Sequence, residues 1–361
     1  MSSEFGNLLK VSVFGQSHGE AIGVVIDGIP SGEAIDMEKL CAFMDRRKPG
    51  QGALTTSRKE SDTPVFLSGV VNDVTCGFPI CAVIKNSDQH SSDYSNLLTN
   101  PRPSHADYTA FLKYGENRDM RGGGHFSGRL TAPLCIAGGV ALQMLERRGF
   151  YVGAHLQSVE NIKDSSFPPE PTKELFEDIQ CRNPAVIDPA AGEKMTEAIK
   201  AAAADGDSVG GVIETAVIGL PEGLGGPMFD GVENRLAKAI FGIPAVKGLE
   251  FGNGFEAAKL RGSVNNDPFI VKDGKVAAET NNAGGILGGI TSGMPVVFRA
   301  AIKPTPSISK PQKTVDLTTM QETELVIKGR HDPCIAVRAV PVMEAVTALV
   351  ITELLIEENK F

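Results

Sequence analysis

The sequence predicts an α+β fold built in layers, in a single large domain spanning residues 1–361. Three observations lead there. Strand-like runs rich in Val and Ile mix with helical runs without the regular βαβ alternation of a doubly wound sheet. One run, Leu130–Arg148, is apolar nearly all round until its basic end, which predicts a helix buried between layers. Finally, the chain carries an internal echo. Ile26-Asp27-Gly28-Ile29-Pro30-Ser31-Gly32 leads through Asp36 into a helical run, and Val217-Ile218-Gly219-Leu220-Pro221-Glu222-Gly223 leads through Asp230 into another. Strand, G-[IL]-P-x-G turn and helix thus occur twice, by shared turn chemistry or by a pseudo-repeat of two similar halves around one core.

The β-branched runs predict strands at Val11–Phe14, Ile22–Asp27, Val65–Val71, Ile80–Lys85, Val152–Leu156, Gly211–Ile218 and Met294–Ile302. Helical periodicity predicts Met37–Arg46, Ala106–Lys113, Leu130–Arg148, Glu193–Ala204, Val232–Ile240 and Val342–Glu357. The Pro/Ser-rich stretch Asp164–Pro171 reads as a surface excursion.

Composition narrows the function. Hydrophobic residues at 42% and charged residues at 22% allow a sizeable core. Forty glycines, few aromatics and no tryptophan point to many tight turns. A net charge of −9 argues against nucleic acid or an anionic membrane as partner. No stretch reaches the roughly 18 uninterrupted apolar residues of a membrane helix, and the N-terminus lacks the basic and apolar regions of a secretory signal. Six cysteines are scattered without a CxxC pair, so no metal site or disulfide framework is expected, and a reducing cytoplasm fits.

Against that acidic background, arginines and histidines gather in glycine- and proline-rich loops: Asp45–Gly52, Pro101–His105, Arg118–Arg129 and Gly329–Asp332. The arginine fork matches carboxylates and phosphates, so these loops are candidates for an anion site or, singly, solvated turns. In Gly15-Gln16-Ser17-His18-Gly19, flanking glycines would open the imidazole to a ligand, and histidine exchanges protons near neutrality. A hairpin turn with an exposed histidine is the alternative. Ser104-His105-Ala106-Asp107 has capping-box spacing, which predicts His105 in the first turn of a helix. Arg121-Gly122-Gly123-Gly124-His125-Phe126-Ser127-Gly128-Arg129 offers uncovered amides and, with the helix after it, an N-terminus for an anion. It fits neither the Walker loop nor the dinucleotide fingerprint, and Gly284–Gly289 misses the latter as well. Lys303-Pro304-Thr305-Pro306-Ser307 is a rigid extended segment whose lysine and hydroxyls could fix a phosphate. Asp332, held extended by Pro333, would be a base kept ionised by Arg330 if the two meet.

Together these segments resemble the signature blocks of the chorismate synthases. The matching blocks are GQSHG, DGIPSG, DRRKPGQG, PRPSHADYT, KYG, RGGGxxSGR, NNAGGILGGITSG, KPTPSI and GRHDPCIAVRAVP, in family order over almost the whole chain. The resemblance implies a layered β-α-β sandwich assembled as a homotetramer. It implies anti-1,4 elimination of phosphate from 5-enolpyruvylshikimate 3-phosphate to give chorismate, with reduced FMN (FMNH2) and no net redox. By the same resemblance His18 protonates or hydrogen-bonds the phosphate, and His105 faces the reduced flavin and stabilises its anionic form. Asp332 takes part in proton removal, with Ser17 and Ser127 as relays. Arg47, Arg102, Arg129 and Arg330 hold the substrate's anionic groups. Flavin contacts fall on His125, Phe126, Ser127, Ala245, Gly288, Lys303, Pro304, Thr305, Pro306, Ser307 and Arg330, and an NADP contact on Arg47. Whether NADPH or an external reductant reduces the flavin stays open.

Three departures stand out. His125-Phe126-Ser127 replaces the usual Arg-Ser-Ser or Arg-Ala-Ser, Ala53 replaces an arginine after P-G-Q-G, and Leu130 replaces a glutamate. They read as a subfamily variant. A flavin-independent lyase or transferase and a non-catalytic anion- or flavin-binding protein are the rival classes.

Overall fold

The computed structural model describes residues 3–50, 54–55, 60–86, 97, 99–119, 121–327 and 331–361. In the first half, alternation places Val11, Ile22, Val24 and Ile26 inside a hairpin of β2 (Lys10–Gly15) and β3 (Ala21–Asp27), with β1 (Glu4–Phe5) beside β2. The Asp36 carboxylate accepts the Lys39 N–H at 2.9 Å and starts α1 (Met37–Arg47). Strand β4 (Val65–Ser68), a ribbon of β5 (Val70–Val71) and β6 (Val74–Thr75), β7 (Ile80–Lys85), α2 (Asp107–Tyr114) and α3 (Thr131–Glu146) complete this half. The single run expected at 65–71 is divided at Gly69, whose φ of 80° turns the chain.

The second half begins with β8 (Tyr151–Val159), β9 (Ile162–Lys163), α4 (Lys173–Gln180) and α5 (Pro189–Ala204). There follow β10 (Gly211–Ile218), α6 (Val232–Ile240), β11 (Val246–Phe251), α7 (Gly262–Asn265) and two hairpins, β12 (Phe269–Lys272) with β13 (Lys275–Ala278) and β14 (Ile286–Leu287) with β15 (Ile290–Thr291). Strand β16 (Val296–Ile302), the hairpin of β17 (Gln312–Asp316) and β18 (Gln321–Leu325), and α8 (Ala336–Glu357) close the chain.

The echo is a topological repeat. Along the chain, β2-β3-α1-β4-β7-α3 is followed by β8-β10-α6-β11-β16-α8 once the insertions are set aside. Two five-stranded antiparallel sheets result, ordered β1-β2-β3-β7-β4 and β9-β8-β10-β16-β11, so equivalent strands hold equivalent places. Helices α3 and α8 lie on each other between the sheets, α3 against β3 and β7, α8 against β8 and β10. The fold is therefore the layered α+β arrangement expected, with the helix at 130–148 buried on all sides. A Cβ added at Gly138 would lie 2.3 Å from the Cα of Ala345, so only glycine lets α3 approach α8 this closely.

Two expectations need correction. Gly128–Glu146 and Ala336–Glu357 do have the length and hydropathy to cross a membrane, but 83% and 89% of their apolar windows are covered by the protein's own layers. Helix α8 also begins six residues earlier than expected, at Ala336, and carries Pro341 inside it. Burial along α8 outweighs the amide lost at the proline. The stretch at 164–171 is the surface excursion expected, with Ser165, Ser166, Pro168, Pro169 and Glu170 exposed, but it is anchored at Asp164 and Phe167. The Asp164 carboxylate accepts the Ile187 and Asp188 N–H groups at 2.6 and 2.8 Å and meets His155 Nδ1 at 3.0 Å. Glu214 meets His155 Nε2 at 3.0 Å and accepts the Phe167 N–H at 2.6 Å, closing a buried cluster that pins this segment to the second sheet.

Candidate active site

The repeat brings equivalent connections to one end of the molecule, where the N-termini of α3 and α8 open. They enclose a cavity of about 920 Å³. The segments before α3 and α8 contribute Arg102, His105, His125–Leu130, Lys303, Thr305–Ser307, Asp332 and, from α8 itself, Arg338. The end of α1 adds Arg47, and the connection between α6 and β11 adds Ala245. The lining combines apolar residues, Leu134, Ile335, Val346 and Leu349 among them, with the arginines and histidines.

Gly122–Gly124 form the hinge of the site. Their φ angles of 62°, 92° and 57° belong to a left-handed backbone that side chains rarely adopt. Room is equally restrictive. A Cβ on Gly122 would stand 2.5 Å from His18 Nε2 and 2.9 Å from Ser17 Oγ, and one on Gly123 would stand 3.5 Å from His105 Nε2. The glycine loop thus packs against two imidazoles. The Ser17 N–H donates to the Gly124 carbonyl at 3.1 Å, which locks the turn between β2 and β3 onto this loop. His18 is only 3% exposed and packs against Gly122, which itself lines the cavity, so the exposed-hairpin alternative fails. Ser17 Oγ is buried without a hydrogen-bond partner among the described residues.

The capping box expected at 104–107 does not form. Ser104 has φ 59°, Ala106 occupies the N-cap position without a side-chain bond, and His105 precedes the helix. Asp107 instead turns its carboxylate back to Arg102 and His105. Arg102 Nε and Nη2 donate to it at 2.7 and 2.8 Å, and His105 Nδ1 lies 2.6 Å from Oδ1. Burial would raise the Asp107 pKa, but the hydrogen bonds from Arg102 and His105 outweigh it and hold the carboxyl far below its ordinary range.

Arg47 and Arg129 share Asp62. Arg47 Nη2 is 3.3 Å from its carboxylate, and Arg129 Nη1 donates to the other oxygen. Arg129 Nε also donates to Asn86 at 3.1 Å, and its Nη2 lies 3.6 Å from Glu60. Burial brings the Arg47 guanidinium down to about 10, against the pull of Asp62. For Asp62 the order reverses: burial raises its pKa, but Arg47 and Arg129 together lower it. Arg47 Nε and Arg129 Nη2 remain buried without hydrogen-bond partners among the described residues. Both arginines line the cavity, where guanidinium groups suit an anion. Arg46, from the same basic run, leaves the site and pairs with Glu344 on α8.

Asp332 lines the cavity and pairs with Arg338. Arg330, with Ala53, lies outside the described residues. Arg338 Nε also donates to the Arg47 carbonyl at 2.8 Å, joining the two halves. Burial, with Lys247 nearby, lowers the pKa of Lys303, whose Nζ donates to the Ser104 carbonyl. Ser307 Oγ accepts from Arg102 Nη1 at 3.1 Å, and Thr305 Oγ donates to the Asp332 carbonyl at 2.9 Å. His125 Nδ1 donates to the Gly15 carbonyl at 2.8 Å, leaving Nε2 to accept from Ser3 Oγ at 2.7 Å. Ser127 Oγ accepts the Arg129 N–H at 3.2 Å. Phe126 lines the cavity. Pro304 turns away to pack on Gly210, and Gly288 sits in the turn between β14 and β15, outside the lining. Asp62, Glu60, Asn86 and Arg338 were not singled out by sequence. Arg338 falls inside the GRHDPCIAVRAVP block, whereas the other three carry no local pattern.

The apolar lining residues suit a planar ring, and the arginines, histidines and lysines of the same lining suit a polyanion. The volume is at the upper end of the roughly 300–1,000 Å³ usual for small-molecule sites. Fold and site define a protein that handles a small polyanion with acid–base groups. The chorismate synthase family model matches residues 9–356. A chorismate synthase of Thermococcus gammatolerans is 49% identical over 354 residues, 98% of each chain. One of Dehalococcoides mccartyi is 48% identical over 98% of this chain and 96% of its own. A crystal structure of chorismate synthase superposes with a TM-score of 0.77 at 28% identity, covering 98% of this chain and 93% of that one. The chain belongs to the chorismate synthase family. It is a lyase of the shikimate pathway, forming chorismate from 5-enolpyruvylshikimate 3-phosphate with reduced flavin.

Proposed function

We propose that the glycine loop divides the labour of the elimination between the two imidazoles it packs against. His18 protonates the departing phosphate oxygen, with Ser17 beside it. His105 presents its Nε2 edge to the ring system seated against the apolar lining residues. Asp332, paired with Arg338, accepts the ring proton, while Ser127 relays it. Arg47 and Arg129 grip the phosphate or a carboxylate, with Arg102 and Arg330 completing the cationic set. A carbon–oxygen bond and a carbon–hydrogen bond break, a carbon–carbon double bond forms, and the protons balance without net redox. Reduced FMN, when bound, lends electron density to the breaking carbon–oxygen bond. His125, Phe126, Ser127, Ala245, Gly288, Arg330 and the Lys303–Ser307 segment would hold it. NADPH as the reductant, with Arg47 as its contact, a homotetramer, a cytoplasmic setting, one catalytic domain and no nucleic-acid or membrane partner belong to the same reading.

One observation carries the proposal: consecutive glycines of one loop leave room for His18 at Gly122 and for His105 at Gly123, and Gly122, His105 and Arg129 line one cavity. The test is anaerobic turnover with photoreduced FMN, then with NADPH in place of light. Chorismate and free phosphate should form only with reduced flavin. Turnover without flavin would favour a flavin-independent lyase, and binding without turnover a non-catalytic protein.

A further inference from the structure

We infer that Asp107 is a positioning residue that sets the tautomer and direction of His105; this rests on the role given to His105 above. The Asp107 carboxylate is clamped before it meets the histidine. Arg102 donates to it from Nε at 2.7 Å, from Nη2 at 2.8 Å and from its backbone N–H at 3.0 Å. Arg102 is in turn held by Ser307 at 3.1 Å, from the equivalent connection of the other half. A carboxylate held this way is ionised and only accepts hydrogen bonds. The 2.6 Å contact between His105 Nδ1 and Oδ1 therefore requires the proton on Nδ1. Arg102 Nη2 lies 3.1 Å from the same nitrogen but cannot donate to it, because the Nδ1 lone pair is used by that proton. The opposite tautomer would set the Nδ1 lone pair against a carboxylate oxygen. Neutral His105 is thereby left with a bare Nε2, and the ring edge carrying it lies over Gly123 at the cavity. Protonated, it presents Nε2–H along the same line. Asp107 touches neither ligand space nor reacting atoms, being absent from the cavity lining. The arrangement is an orienting carboxylate behind an acid–base histidine, as in other histidine-dependent sites.

Long-range ¹H–¹⁵N correlation spectra of the full-length, histidine-labelled protein test the geometry directly. Wild-type His105, assigned by its loss in H105A, should show the Nδ1–H tautomer when neutral. D107N should shift it toward a mixture of tautomers or the Nε2–H form. In turnover, D107N should lower kcat by about 10–100-fold while KM stays within about twofold. In an H105A background the same substitution should cost less than about twofold, because its effect passes through the histidine. S307A should leave the tautomer as in the wild type. An Nε2–H tautomer in the wild type, or an unchanged tautomer in D107N, would overturn the inference even if D107N proved unstable or His105 remained essential. An equal loss of kcat from D107N with and without His105 would also overturn it. H105A turning over at the wild-type rate would instead remove the role of His105 itself.

Discussion

At the scale of single residues, the site is a set of cations each restrained by a carboxylate. Asp62 serves Arg47 and Arg129, Asp107 serves Arg102, and Asp332 serves Arg338. Such restraint keeps an acidic protein's arginines fixed before the ligand arrives, so less ordering is needed on binding. D62N should be among the most damaging single changes. It leaves buried Arg47 without the Asp62 counter-charge and Arg129 with only its 3.6 Å contact to Glu60, a loss of about 3–5 kcal/mol that urea unfolding would register. R129A should raise KM for the phosphorylated substrate by removing a donor from the anion grip, which steady-state kinetics would detect. An unchanged KM would move the substrate away from Arg129. D332N should slow proton removal, and an unaffected rate would discharge Asp332 as the base. Much of this scale was legible. The loops with His18, His105 and Arg129 announce themselves as cations among glycines. Their carboxylate partners do not, because Asp62 and Glu60 reach Arg129 across about 70 residues of chain with no periodicity to mark the contact.

At the scale of elements, two glycines carry specific demands. Gly122 combines φ 62° with a Cβ position only 2.5 Å from the His18 ring. G122A should therefore displace His18 and lower kcat, at a local strain of about 1–2 kcal/mol, with the fold retained by circular dichroism. Full activity in G122A would mean that His18 has no fixed place against the loop. Gly138 serves packing instead, and G138V should destabilise the fold by about 1–3 kcal/mol or more by forcing α3 from α8. Apolar periodicity sufficed to place α6 and the core of α3, since burial and pattern agree there. It failed at residues 104–107, where the spacing of a capping box was used for an ion cluster, and the chain turns through a left-handed Ser104 before the helix starts. Strand β11 was missed because its Val-Lys-Gly-Leu-Glu-Phe sequence occupies a sheet edge and needs little apolar character.

At the scale of the whole molecule, a duplicated β-β-α-β-β-α unit explains why one cavity is formed from distant parts of the chain. Equivalent connections meet at one end, and the two halves then diverge. The first turn carries Ser17 and His18, while the second half places the insertion of α4 and α5 after β8, tied down by His155, Asp164 and Glu214. The weak G-[IL]-P-x-G echo was the visible trace of this duplication, and strand order, which sequence cannot show, makes it plain. The buried cluster gives the fold a pH signature. Burial lowers the His155 pKa, but the hydrogen bonds to Asp164 and Glu214 outweigh that and raise it. Its contribution is complete below the unfolded value near 6.5 and is lost as pH rises through the higher folded value. Asp62, Asp107 and Asp164 have lowered values, so their contribution is present above the ordinary 3.8 and lost as pH falls through the folded values. Thermal unfolding of wild type and H155Q should therefore differ most at mildly acidic pH and converge at alkaline pH; a constant gap would contradict the paired, protonated histidine. The central claim, that two imidazoles at one glycine loop run a flavin-dependent phosphate elimination, is tested most directly by anaerobic single turnover with photoreduced FMN. Wild type should release one chorismate and one phosphate per site, and H18A/H105A should be slower by at least about 10²-fold while still binding flavin. A double variant that turns over at the wild-type rate would contradict the account.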